Sequence, residues 1–160
     1  MTTDQTRKVA ELIKGQRFAM FTTTAPDGTL TSRPMALQEV EFDGDLWFFA
    51  SRDSRKVTHL TANPQVNVTV GDQSSWVSLT GHARVVSDDA TKRELWNAGV
   101  EAWFPDGPDD PGIVLIAVDG QSAEYWDTPG GRVASALSFA KAKVTGKRYD
   151  GGENERVTLS

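Results

Sequence analysis

The stretch that decides the reading is TSRPMALQ (31–38), followed after an acidic turn by LWFFASRDSRK (46–56). Arg33 sits on one presumptive strand, an aromatic strand Leu46–Ser51 follows, and Ser54-Arg55-Lys56 opens a short helix that ends at Asn63-Pro64. A residue before proline is pushed out of the helical region, so Ala62 is the expected stop. The first turn of a helix exposes free N–H groups and the positive end of the dipole. Arg and Lys are unfavourable there unless an anion satisfies them, and Asp53 as an N-cap would offset part of the cost. Two readings stand at this point: a solvated, charged helix start, or a phosphate site beside an aromatic strand. Arg33 favours the second, because a guanidinium pairs bidentately with phosphate oxygens and its strand precedes the aromatic one in a meander.

Outward from this segment, the chain reads as mainly β. Thr3 to Lys14 is an amphipathic helix stopped at Gly15. Arg17 to Thr24 and Leu30 to Gln38 form a hairpin about Pro26-Asp27-Gly28, and Val40 to Phe42 pairs with Leu46 to Ser51 about Asp43-Gly44-Asp45. Gln65 to Val70 alternates cleanly. Trp76 to Val86 is long, with Gly81 marking a bulge or bend. Thr91 to Phe104 reads as one helix carrying Trp96 and Trp103 seven apart, and Pro105 to Gly112 as an exposed loop. Ile113 to Val118 and Ser122 to Trp126 read as a last hairpin about Asp119-Gly120, and Ala134 to Val144 as a helix. The expected domain spans 1–146, with 147–160 a weakly structured tail. About six or seven antiparallel strands with a few helices suit a small split β-barrel, which removes exposed sheet edges.

Composition narrows the function classes. The 160 residues carry 17 basic and 22 acidic side chains, a net charge of −5 that argues against a nucleic-acid surface. Zero cysteines exclude disulfide and thiolate chemistry and fit a cytoplasmic location. No apolar run reaches membrane-spanning length and no secretory leader is visible. His59 and His82, the two histidines, read as surface residues, and Thr22-Thr23-Thr24 as strand propensity. The acidic residues Asp106, Asp109 and Asp110 belong to a loop rather than a metal site, and Asp88-Asp89 to a helix cap. No nucleophile elbow, P-loop or dinucleotide fingerprint is present.

Four motifs in order, Ser32-Arg33-Pro34-Met35, Trp47-Phe48-Phe49-Ala50-Ser51, Ser54-Arg55-Lys56 and Asn63-Pro64, resemble the flavin-binding split-barrel superfamily typified by pyridoxamine 5′-phosphate oxidase. Glu124-Tyr125-Trp126-Asp127 with Gly131-Arg132, then Ser138-Phe139-Ala140-Lys141 and Val144-Thr145-Gly146-Lys147, look most like its general stress protein branch. The resemblance implies a homodimer with FMN between subunits, its phosphate held by Arg33, Arg55, Lys56 and Ser54. It further implies that Phe49, Ala50 and Ser51 lie along the isoalloxazine and that the backbone at Pro34-Met35 approaches it. Trp76 falls where the oxidase has a flavin-contacting glutamine, and Trp126 matches a tryptophan reaching the flavin from the partner subunit. By the same resemblance, Arg132 would be what remains of a substrate-binding Arg-Leu-His element, here Arg132-Val133-Ala134.

Two departures count against the oxidase reaction: Ala134 replaces that histidine, and Gln38 replaces a phosphate-binding lysine. The resemblance therefore implies an FMN-dependent oxidoreductase of another substrate, with a nicotinamide as a conceivable reductant. A non-enzymatic flavin store or sensor is the second reading. FAD, or a deazaflavin as in some related reductases, is the alternative cofactor. Which of Trp47 and Phe49 or Phe48 and Ala50 face the barrel interior stays open in the sequence.

Overall fold

The computed structural model describes residues 4–38, 41–128, 131–147 and 152–159, without the side chains of 131–135 and 138. Helix α1 (Asp4–Ile13) is followed by β1 (Phe18–Thr24), β2 (Leu30–Ala36), β3 (Asp45–Ser51) and α2 (Arg55–Ala62). Then come β4 (Gln65–Gly71), β5 (Ser75–Val86), α3 (Asp89–Leu95), α4 (Ala98–Trp103), β6 (Ile113–Asp127), α5 (Gly131–Thr145) and β7 (Glu153–Thr158). The strands form one antiparallel sheet in the order β2-β1-β4-β5-β6-β3, with β7 also paired to β6. The expectation of a mainly-β split barrel of six or seven antiparallel strands holds, with seven strands among the described residues.

The curl of this sheet follows from two rings. Phe21 on β1 and Phe48 on β3 meet edge to face, with centroids 5.3 Å apart at 72°, although β4, β5 and β6 lie between their strands in the sheet. The sheet therefore wraps until its end strands β2 and β3 approach each other without pairing, which is the split. Inside lie Phe21, Val66, Val68, Val70, Val77, Leu79, Val114, Ile116 and Val118, with Leu46, Phe48 and Ala50 from β3. On the opposite face of β3, Phe49 and Trp47 pack with Ile113, Leu115 and Val100 beneath α3 and α4. This settles which side of the aromatic strand faces inward. It also explains why Ile113–Val118 is buried at every position: one face meets the barrel core, and the other is covered from outside.

Five local expectations are corrected. β3 pairs with β6, not with the segment before it, so the hairpin from Val40 does not form at Glu41–Phe42; Val40 itself lies outside the described residues. Likewise β2 and β3 are opposite ends of the sheet rather than meander neighbours. The supposed hairpin at Asp119-Gly120 is one continuous strand, bulged where Thr80 and Gly81 face Ser122 and Gly120. Gly120 donates its N–H to the Gly44 carbonyl at 2.8 Å, so that dipeptide is a packing point and not a turn. The helix over 91–104 breaks at Trp96-Asn97, because Asn97 caps a new helix through Val100 N–H. Finally, Glu153–Thr158 of the supposed tail is a strand, held by β6 with Val157 buried opposite Ala123.

Other expectations stand. Asp88 caps α3 through Thr91 N–H, and Gly81 sits at the bulge. The loop over 105–112 is tied down by Lys92, a buried lysine that donates to the carbonyls of Asp110 and Ile113, each at 3.1 Å.

Candidate flavin-phosphate site

The split between β2 and β3 brings the opening segment together. Arg33 points from β2 toward the inner side of the sheet, opposite Phe21 of β1. Its Nη1 donates to Thr23 Oγ1 at 2.7 Å and to the Phe21 carbonyl at 3.3 Å. Arg55 and Lys56 open α2, whose Val57 and Leu60 anchor it to the core. Burial lowers the Arg33 pKa first and the Arg55 charge lowers it second. Lys56 is held below the ordinary lysine range by burial and then by Arg33. The three cations therefore share one field. Among the described residues none of them has a carboxylate at ion-pair distance.

Ser54, not Asp53, is the N-cap of α2, and its side chain caps nothing. Its Oγ is buried without a hydrogen-bond partner, whereas buried hydroxyls are ordinarily bonded. A helix N-terminus, an orphaned hydroxyl and three uncompensated cations are the donor set that a phosphate monoester needs. Charge repulsion here is a cost that an anion removes. The sign follows from linkage: a lysine held below its unfolded value of 10.5 binds protons less readily when native. Stability of the ligand-free chain should therefore rise as pH climbs from the lowered native value toward 10.5. Lys56→Met should raise the ligand-free Tm at neutral pH by about 1–3 °C, on the scale of about 2–4 °C per kcal/mol for this chain size. The same change should weaken anion binding; a fall in the ligand-free Tm would contradict the repulsion.

The remaining sequence-derived residues divide. Pro34 and Met35 lie on the free edge of β2, where a proline costs no ladder bond, and Ser51 ends β3 exposed. Phe49 and Ala50 are buried, Phe49 edge-on to Trp96 at 5.3 Å; the backbone N–H and C=O of Phe49 lie on the free edge of β3, whereas those of Ala50 face Val114 of β6. Trp76 and Trp126 are direct cross-strand partners on the outer sheet face. A Cβ on Gly71 would fall 2.0 Å from Trp76 Cε3, so the indole lies over that glycine. The Arg132 side chain lies outside the described residues. Gln38 accepts from Asn97 Nδ2 at 2.8 Å, beside a groove of about 640 Å³ lined by Leu37 and Glu94–Gly99.

Two contributors escaped the sequence reading. Thr23 is wholly buried and bonds both Arg33 and His59 Nδ1, the latter at 3.1 Å. His59 is thus half-buried and bonded rather than a surface residue. The only sequence-level signal was a threonine on the core-facing parity of β1, between Phe21 and the turn.

A family model for pyridoxamine 5′-phosphate oxidase-like proteins matches residues 4–150. The protein bli-3 of Neurospora crassa is 31% identical over 154 residues, covering 87% of this chain and 72% of that protein. A crystal structure described as general stress protein 26 from Jannaschia sp. CCS1 superposes with a TM-score of 0.80 at 26% identity, covering 98% of this chain and 99% of the other. A general stress FMN/FAD-binding protein from Xanthomonas citri superposes at 0.66 and 29% identity, covering 75% and 86%. The chain belongs to the pyridoxamine 5′-phosphate oxidase-like family, and its solved relatives include general stress proteins.

Proposed function

We propose that this chain binds FMN, as a homodimer, and acts as a flavin-dependent oxidoreductase on a substrate other than pyridoxamine phosphate. The observation that carries the reading is the cluster of mutually repelling cations Arg33, Arg55 and Lys56, together with the buried, unpartnered Ser54 hydroxyl at the start of the helix that carries two of them. Those four residues would take the phosphate. The backbones of Pro34-Met35 and of Phe49 and Ser51, on two facing and unpaired strand edges, would flank the ring. A bound flavin would supply the redox chemistry, leaving the protein to position it and exclude water. The FMN/FAD-binding relative from Xanthomonas citri supports a flavin, and a single compact cation cluster favours a monoester over a longer anionic tail.

The outer sheet face supports the dimer. Met20 pairs with Pro34 and Thr69, Thr69 with Ser78, and Ser78 with Glu124, so alternate residues of five strands share this face. It exposes Phe18 (59%), Met20 (44%), Leu30 (69%), Trp76 (50%) and Trp126 (42%), an apolar surface that a second copy would cover. Phe18→Glu with Met20→Glu should convert a dimer to a monomer by light scattering and weaken flavin binding along with it. A dimer that persists with full flavin affinity would count against this face.

Titration of the purified protein with FMN, FAD, riboflavin and a deazaflavin tests the cofactor. FMN should bind tightest; no binding by any of the four overturns the reading. Reduction of bound flavin by a nicotinamide and transfer to an acceptor would support turnover, while a flavin that no reductant reaches would favour a store or sensor.

A further inference from the structure

Arg33 is held by a chain that runs through the barrel wall into α2. The contacts are His59 Nδ1 to Thr23 Oγ1 at 3.1 Å and Thr23 Oγ1 to Arg33 Nη1 at 2.7 Å. We propose that His59 and Thr23 are positioning residues that orient the Arg33 guanidinium for a phosphate; this rests on the phosphate reading above.

The proton accounting is restrictive. A threonine hydroxyl has one proton and two lone pairs, and a guanidinium only donates. Thr23 Oγ1 therefore accepts from Arg33, which leaves its own proton for His59 Nδ1. Taking that proton makes His59 Nδ1 the acceptor of this contact, which corresponds to the Nε2–H tautomer. Were Nδ1 protonated, Thr23 would accept twice and its hydroxyl proton would lose the imidazole as its acceptor, at a residue with 0% exposure. An unsatisfied donor in such a place is unfavourable, because water cannot replace the lost partner.

The consequence falls on Arg33. Both Nη1 hydrogens are spent, one on Thr23 and one on the Phe21 carbonyl. Among the described residues Nε and Nη2 have no partner. These two nitrogens form the side edge of the fork, the edge that engages two oxygens of one phosphate. The relay thus selects which edge of Arg33 is offered, and holds it in place against the repulsion from Arg55. It also links α2, which carries Ser54, Arg55 and Lys56, to β1 and β2, so that the two halves of the donor set keep one spacing.

The test has two arms. Long-range ¹H–¹⁵N spectra of the ligand-free protein should show His59 as the Nε2–H tautomer, and Thr23→Val should abolish that preference. A protonated Nδ1, or a tautomer indifferent to Thr23→Val, overturns the relay whatever the flavin result. In the second arm, fluorescence titrations with FMN and riboflavin read the consequence. Thr23→Val and His59→Ala should each weaken FMN about 3–10-fold, in line with one lost hydrogen bond, and riboflavin less than about twofold. Thr23→Ser and His59→Asn, which restore a hydroxyl and an acceptor near Nδ1, should recover FMN affinity. Equal losses for both flavins, or no rescue, would reduce the pair to general packing and overturn the proposal. Failure of the wild-type chain to bind any flavin would instead sink the flavin reading, leaving the first arm to decide the relay.

Discussion

Arg55→Ala combined with Lys56→Ala should weaken FMN binding about a hundredfold or more while leaving riboflavin within about threefold. A hydrogen bond to a charged group contributes about 1.5–3 kcal/mol, and each 1.4 kcal/mol is about tenfold. Two such bonds set a range of about two to four powers of ten. Arg55 is exposed and screened, which pulls the expectation to the lower end. Riboflavin lacks the phosphate, so it reports whatever the variant does to the ring-binding edges. Equal losses would place Arg55 and Lys56 outside phosphate recognition. The ligand-free variant should be no less stable than the parent, because the Arg33–Arg55 and Arg33–Lys56 repulsions vanish with it. A sharp fall in its Tm would mean that these side chains hold the fold rather than await a ligand.

How far the site was legible follows from sequence distance. Ser54, Arg55 and Lys56 are contiguous, and a basic pair opening a helix is locally anomalous, so they stand out unaided. Arg33 could be suspected from strand order, though for an incorrect reason: β2 reaches the aromatic strand by the curl of the whole sheet, not by lying beside it. Thr23 could not be separated from its neighbours by propensity, since Thr22, Thr23 and Thr24 are equally good strand formers. Only the β1–β2 register and the approach of α2 show that Thr23 alone faces both a guanidinium and an imidazole. The orphaned Ser54 hydroxyl is likewise a tertiary fact, because a serine before a helix reads as an ordinary cap.

The same contrast governs the fold. Alternation marked β4, and a lone glycine marked the bend in β5, because both are local signals. Asp119-Gly120 misled because Asp-Gly is a strong turn signal, yet Gly120 is needed for close packing against Gly44 and not for a left-handed conformation. Asn97 misled in the other direction. Inside an apparently continuous helical pattern it acts as a cap, a choice that depends on Trp96 turning inward to meet Phe49.

Gly81→Ala should be the most damaging small substitution in the barrel. A Cβ at this position would lie 2.3 Å from the Asp119 carbonyl oxygen and 3.1 Å from Val118 Cγ1. The first neighbour is backbone of the adjacent strand and cannot rotate away, so β5 and β6 would have to separate at the bulge that bends them. Overpacking of this kind costs about 1–3 kcal/mol and occasionally more; at about 2–4 °C per kcal/mol the Tm should fall by roughly 5–10 °C. Gly28→Ala is the informative comparison. Gly28 has φ of +87° with open space around its Cβ position, so its substitution carries only left-handed strain, about 1–2 kcal/mol. The two variants separate clash from strain through a second readout. Gly81→Ala should also disturb the Trp76–Trp126 pair that lies further along the same two strands, changing tryptophan fluorescence in the folded state, while Gly28→Ala leaves it unaltered. If Gly81→Ala is no worse than a surface change and leaves the fluorescence intact, the close approach of β5 and β6 is wrong. The bend that lets one strand pair serve both the barrel core and the outer tryptophan face would then need another cause.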